Sequence, residues 1–252
     1  MSGHSHWATI KRSKGAADAK RGQLFTKLAR EIQIAAHDGG SDVTANFRLR
    51  LAMDRAKQAA MPKESIERAI LRGTGQLKGE TIEEITYEGY GPQGTAVIVE
   101  VVTDNRNRSV SEVRHIFSRH GGNLGETGCV SWMFERKGYL NLAPKDGEAE
   151  ELALVAIDAG AEDVKVDEEM VEVFTRVEDF TRVREALESG DLELDNVQLS
   201  WVPKTLMQLE DKATMQNMRL IEALEDLDDV QQVYSNLEIS DEVAASYEQG
   251  GE

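Results

Sequence analysis

Basic side chains are the residues whose type and spacing could do chemistry in this chain, and that chemistry is phosphate binding. Lys11, Arg12 and Lys14, then Lys20 and Arg21, fall in a small, polar stretch with no apolar periodicity before Leu24. Trp7 lies in the same arm, where an indole can stack on a base or staple the arm to the body. Lys20, Gln23, Lys27 and Arg30 recur at spacings of three and four, which on a helix makes one stripe. Arg48 and Arg55 lie seven apart, as do Arg50 and Lys57, so each pair shares a helical face. Arg68 and Arg72 form an i, i+4 pair in a third segment that begins near Lys63. Arg106 and Arg108 stand apart, in Thr103-Asp104-Asn105-Arg106-Asn107-Arg108-Ser109. The candidate nucleic-acid-binding set is therefore Trp7, Lys11, Arg12, Lys14, Lys20, Arg21, Lys27, Arg30, Arg48, Arg55, Lys63, Arg68, Arg72, Arg106 and Arg108. The alternative is that these are ordinary solvated helix faces.

Other chemistries find less support. His4 and His6 lack a third ligand at fixed spacing, so they read as arm histidines and not as a metal site. His115 and His120 have no His or Cys in register, and Cys129 reads as a small buried thiol in a strand. No Gly-x-Ser-x-Gly, Gly-x-x-x-x-Gly-Lys-Ser/Thr or His-Glu-x-x-His occurs. Gly73-Thr74-Gly75-Gln76 hints at a phosphate loop, but it follows a helical pattern and reads as a helix stop. The expectation is a non-enzyme with no cofactor, no metal and no identified small-molecule substrate.

Charge distribution decides between a polyanion partner and none. The chain carries a net −17, which taken alone argues against nucleic acid. Residues 1–80 hold 15 Lys and Arg against 8 Asp and Glu, a net of +7; the rest hold 14 against 38, a net of −24. With a Debye length of about 8 Å, a polyanion at the basic head scarcely feels the acidic body. With 40% hydrophobic residues the chain has material for ordinary cores, and its 252 residues suggest two or three domains. One cysteine fits a reducing compartment. No apolar run approaches the ~20 residues of a membrane span, and no secretory h-region opens the chain.

The elements that must position the basic residues follow from periodicity. Leu24, Phe25, Leu28, Ile32 and Ala35 mark a first helix, starting near Asp18 and stopped by Gly39-Gly40. Ser41 and Asp42 can cap a second, with Leu49, Met53, Ala56 and Ala60 inside; Pro62 opens a third, with Ile66, Ala69 and Ile70 inside. Beyond Gly79 the pattern turns to strands: one around Ile85–Gly89, Thr95–Thr103, a helix over Ser109–His120 capped by Asn107 or Ser109, and a strand over Cys129–Phe134. Residues 138–203 read as βαββαβ, the ferredoxin-like order. A helix near Lys204–Leu227 and a strand over Val230–Leu237 complete the earlier sheet, and the tail from Ile239 reads as acidic and frayed. The expected class is α+β: an N-terminal three-helix bundle and two ferredoxin-like domains, the last inserted into the middle one. The expected boundaries are 1–80 for the basic helical domain, 81–137 plus 204–240 for the discontinuous domain, 138–203 for the insertion and 241–252 for the tail.

Several motifs carry a resemblance. Gly3-His4-Ser5-His6-Trp7, Lys20-Arg21-Gly22, Phe25-Thr26-Lys27-Leu28, Met61-Pro62-Lys63, Ile66-Glu67-Arg68-Ala69-Ile70 and Gly73-Thr74-Gly75 resemble the N-terminal signature of the YebC/PmpR family. Tyr87-Glu88-Gly89-Tyr90-Gly91-Pro92, the Thr103–Arg108 stretch and Gly128-Cys129-Val130-Ser131-Trp132-Met133-Phe134 are similar to its later motifs, so the likeness runs along nearly the whole chain. One departure is His6, where the family usually has Lys. The resemblance implies a helical N-terminal domain with two α+β domains, and a cytoplasmic protein. It implies a DNA-binding transcriptional regulator; its mitochondrial relatives act as translational activators and some bacterial ones on stalled ribosomes. The expected function is therefore nucleic-acid-binding regulation of gene expression. The expected partners are duplex DNA or ribosomal RNA, with a ribosome-associated translation factor as the alternative reading.

Overall fold

A computed structural model describes residues 18–79, 81–144, 148–167, 170–190, 192 and 194–249. The chain forms two compact units: Met133–Lys204, and a second made of the residues up to Trp132 together with those from Thr205.

The second unit starts with helices α1 (Asp18–Gly39), α2 (Phe47–Gln58) and α3 (Lys63–Gly73). Their apolar stripes meet in one core of Leu28, Ile32, Ala35, Ala36, Leu49, Ala52, Ala56, Ile66 and Ala69. The many alanines let the helices approach closely. Gly73 marks the tightest point: a Cβ there would sit 2.3 Å from the Gln33 carbonyl oxygen of α1. The cap of α2 is Asn46, not the expected Ser41 or Asp42. Its buried side chain accepts from Leu49 N–H and donates to the carbonyls of Ala35 and Gly40, joining the end of α1 to the start of α2. The Asp42 carboxylate instead accepts from the backbone and hydroxyl of Thr44, a local turn.

The same unit holds a four-stranded antiparallel sheet of order β3-β1-β2-β8, from β1 (Glu83–Tyr90), β2 (Ala96–Thr103), β3 (Asn123–Leu124) and β8 (Val230–Ser235). In the central strand β2 every residue is buried except the half-buried Glu100, matching its β-branched run. Val97, Val99 and Val101 of β2 meet Val113 and Phe117 of α4 (Arg106–Arg119), and Met218, Ile221 and Leu224 of α7 (Asp211–Glu225). The segment expected to fray forms α8 (Asp241–Gln249), because Val243, Ala244 and Tyr247 join that core. The expected strand over Cys129–Phe134 is also absent: Ser131–Met133 is a 3-10 turn. The cause is Glu88, whose buried carboxylate accepts from the backbone N–H groups of Gly128, Val130 and Ser131 and holds them in a loop. Burial would raise the Glu88 pKa, yet these three hydrogen bonds hold it below the ordinary value.

The Met133–Lys204 unit contains β4 (Phe134–Leu142), α5 (Ala149–Asp158), β5 (Asp163–Val166), β6 (Val171–Thr175), α6 (Phe180–Ser189) and β7 (Leu194–Pro203). All pairings are antiparallel and the sheet order is β5-β6-β4-β7. That order, with helices after its first and third strands, is the ferredoxin-like arrangement. The first sheet differs in chain order, since it opens with the β1–β2 hairpin.

Candidate nucleic-acid interface

The three-helix bundle is fixed to the sheet by the polar stripe of α1. Helix α7 ends with no basic residue in its last turn, so the negative end of its dipole has no cation from α7 itself. Helix α1 supplies one. Gln23 Nε2 donates to the Asp226 carbonyl, Lys27 Nζ to the Glu225 carbonyl at 2.5 Å, and Arg30 to the Asp228 carbonyl at 2.5 Å. A second tie joins Arg48 of α2 to Glu84 of β1, two N–H···O bonds of 2.6 and 3.0 Å.

The deepest part of this junction is Asp229, whose side chain is only 4% exposed. Its carboxylate accepts from Ser109 Oγ at 2.6 Å, Thr103 Oγ1 at 2.9 Å and Arg108 at 2.8 Å, and lies 2.8 Å from Arg30. Four elements thus converge on one carboxylate: α1, the end of β2, the first turn of α4 and the turn before β8. Burial pushes the Asp229 pKa up, but the hydrogen bonds from Ser109, Arg108 and Thr103 and the charge of Arg30 bring it below the usual Asp value of 3.8. Asp229 and Asp104 in turn push the Arg108 pKa up.

Helix α4 begins earlier than the sequence suggested. Asn105 is its N-cap, accepting from Arg108 N–H, so Arg106 and Arg108 occupy the first turn. Ser109, expected as a cap, is instead a buried donor to Asp229.

Beside this junction, with Arg30 and Gln33 also in its lining, lies an open groove of about 660 Å³. Its walls are α1 and α3, and Gly79, Ile82 and Asp104 close it. Phe25, Ala29, Met61, Ala69 and Ile82 give it an apolar floor; Arg68 and Arg72 stand on the rim. Both arginines are exposed, and among the described residues neither has an ion pair. Gly79 packs along the stem of Arg72, where an added Cβ would lie 3.4 Å from Cγ. Among the described residues the one carboxylate lining the groove, Asp104, is paired with Arg108 at 2.7 Å.

The candidate cations thus divide. Lys27, Arg30, Arg48 and Arg108 join elements inside the unit. Arg55 pairs with Glu31 at 2.9 Å, tying α2 to α1. Lys63 is highly exposed and reaches Glu67 only at 3.7 Å. Arg21, Arg68, Arg72 and Arg106 are exposed. Trp7, Lys11, Arg12 and Lys14 lie outside the described residues, as does the side chain of Lys20. Gly73-Thr74-Gly75 does not form a phosphate loop: the N–H of Gly75 goes to the Arg72 carbonyl, and those of Gln76 and Leu77 to the Leu71 carbonyl. Sequence reasoning missed Asp229, one acid in an acidic body. The only hint to its site was the Thr103–Ser109 stretch, three of whose residues close on it.

No helix among the described residues is long and apolar enough to cross a membrane. The family model for the TACO1/YebC protein N-terminal domain matches residues 5–76, and that for the TACO1/YebC second and third domain matches residues 82–237. A "Probable transcriptional regulatory protein" of Desulfosudis oleivorans is 53% identical over 243 residues, covering 96% of this chain and 99% of that protein. One of the same name from Syntrophobacter fumaroxidans is 52% identical, covering 96% of this chain and 98% of that protein. The crystal structure of a conserved hypothetical protein, Aq1575, from Aquifex aeolicus superposes with a TM-score of 0.83 at 49% identity, covering 89% of this chain and 93% of that one. The chain belongs to the TACO1/YebC family.

Proposed function

We propose that this protein is a nucleic-acid-binding regulator of gene expression, acting by binding and not by catalysis, in the cytoplasm. The observation that carries the reading is the rim of the α1–α3 groove. Arg68 and Arg72 are exposed there and have no ion pair among the described residues, within the segment of net +7. Cations with carboxylate partners are already neutralised; cations without them are the ones that release counterions on meeting phosphate. Lys63 and Arg21 extend the same exposed set on α3 and α1, and the basic arm of Lys11, Arg12 and Lys14 precedes it in sequence. Relatives named transcriptional regulatory proteins support transcription as the stage at which it acts.

A titration of labelled mixed-sequence duplex DNA, with purified ribosomes in parallel at several salt concentrations, tests this. Binding of DNA with affinity falling steeply as salt rises is expected. Binding of ribosomes alone would move the action to translation. Binding of neither at low salt would overturn the reading.

A further inference from the structure

We propose that the α1–α3 groove is a pocket for one unstacked nucleotide, its base lying on the apolar floor and its flanking phosphates on Arg68 and Arg72. The inference rests on the nucleic-acid reading above and names the form of nucleic acid that this face takes.

Three observations converge. The volume, about 660 Å³, leaves room for a nucleotide in a groove that stays open to solvent. The floor is apolar and includes an aromatic ring, Phe25, half-buried and so held in place. The rim carries cations one helical turn apart, Arg68 and Arg72. A stacked duplex hides its base faces; against this groove it would meet only the arginines and leave the floor wet. An unstacked nucleotide offers both surfaces: a π-face for Phe25 and phosphates for the guanidiniums. Ser65 places a hydroxyl in the lining for the base edge, and the Thr26 hydroxyl, which donates to the Gly22 carbonyl, keeps its acceptor lone pairs. Asp104, the one carboxylate lining the groove among the described residues, does not oppose a phosphate strongly because Arg108 holds it.

The test uses the full chain and oligonucleotides of one length: oligo-uridine, oligo-deoxythymidine, an abasic strand with the same phosphates, and a duplex. Each is titrated at physiological salt. The expected result is that intact single strands bind about 5- to 150-fold tighter than the abasic strand, the range given by one stacked base. Thr26→Leu, at an exposed position on the groove wall, is expected to fill the mouth without adding a stacking ring and bring intact strands toward abasic affinity. Circular dichroism on that variant shows whether α1 stays folded, and Phe25→Leu, which keeps the apolar bulk without the ring, is expected to give a smaller loss of the same kind. The comparison of uridine with deoxythymidine identifies RNA or DNA as the source of the nucleotide. Equal affinity for intact and abasic strands, or unchanged discrimination in both variants, overturns the pocket while leaving phosphate binding intact. Binding of no oligonucleotide overturns the underlying reading as well.

Discussion

The guanidinium of Arg30, midway along the first helix, lies 2.8 Å from a carboxylate oxygen of Asp229, in the turn before the last strand. One residue of the basic segment and one of the acidic body thus meet where the carboxylate is buried and the guanidinium partly so. The contact ties the segment of net +7 to an acidic residue of the same compact unit.

Asp229→Asn is expected to destabilise the protein by roughly 3 kcal/mol, because it leaves Arg30 and Arg108 beside a neutral amide at a buried site. Urea denaturation measures it. A loss below about 1 kcal/mol would mean that the junction is held by the helix-end contacts of Gln23 and Lys27.

Acid is expected to weaken this junction and the loop that Glu88 holds. Asp229 and Glu88 both have pKa values below their ordinary 3.8 and 4.5, so the fold favours their charged forms. Their contribution is complete above those ordinary values and is lost as pH falls through the lowered ones. Unfolding free energy measured from pH 6 to pH 2 should therefore decline on the acid side. The decline should be shallower in Asp229→Asn and in Glu88→Gln.

Gly73→Ala tests the close crossing of α1 and α3. The added methyl would meet the Gln33 carbonyl at 2.3 Å and Ala36 Cβ at 2.9 Å, both on a packed helix, so the helices must separate. A cost of about 1–3 kcal/mol is expected. Gly40→Ala is the control: it meets no atom within 4 Å and incurs only the strain of a positive φ, +78°, about 1 kcal/mol. Equal denaturation midpoints for the two variants would place the helices farther apart than described.

The helices and the ferredoxin-like insertion were legible because their apolar residues recur at regular periods: Leu28, Ile32 and Ala35 in α1, and the alternating strands of residues 138–203. Three features were not. Asn46 caps α2 through a side chain that also reaches back to Ala35 and Gly40, and nothing local sets it apart from Ser41 or Asp42. Glu88 turns an apparent strand into a loop through hydrogen bonds to residues some forty positions on, a relation that no periodicity carries. Helix α8 reads as an acidic tail because only Val243, Ala244 and Tyr247 are apolar enough to bury, and the α7 surface that they meet is distant in sequence. At the candidate site the basic residue types were visible, but which of them have carboxylate partners was not. Lys27 and Arg68 look alike in a sequence; one caps α7 and the other faces solvent.

The most direct test of the central claim is the salt dependence of nucleic-acid binding in Arg68→Gln/Arg72→Gln against the unaltered protein. Both positions are exposed, so the fold should be unchanged. If the two arginines hold phosphates, affinity falls at every salt concentration and the log–log slope shrinks by about 1.4 to 1.8. The same affinity and slope in both proteins would contradict the account and move the interface away from this groove.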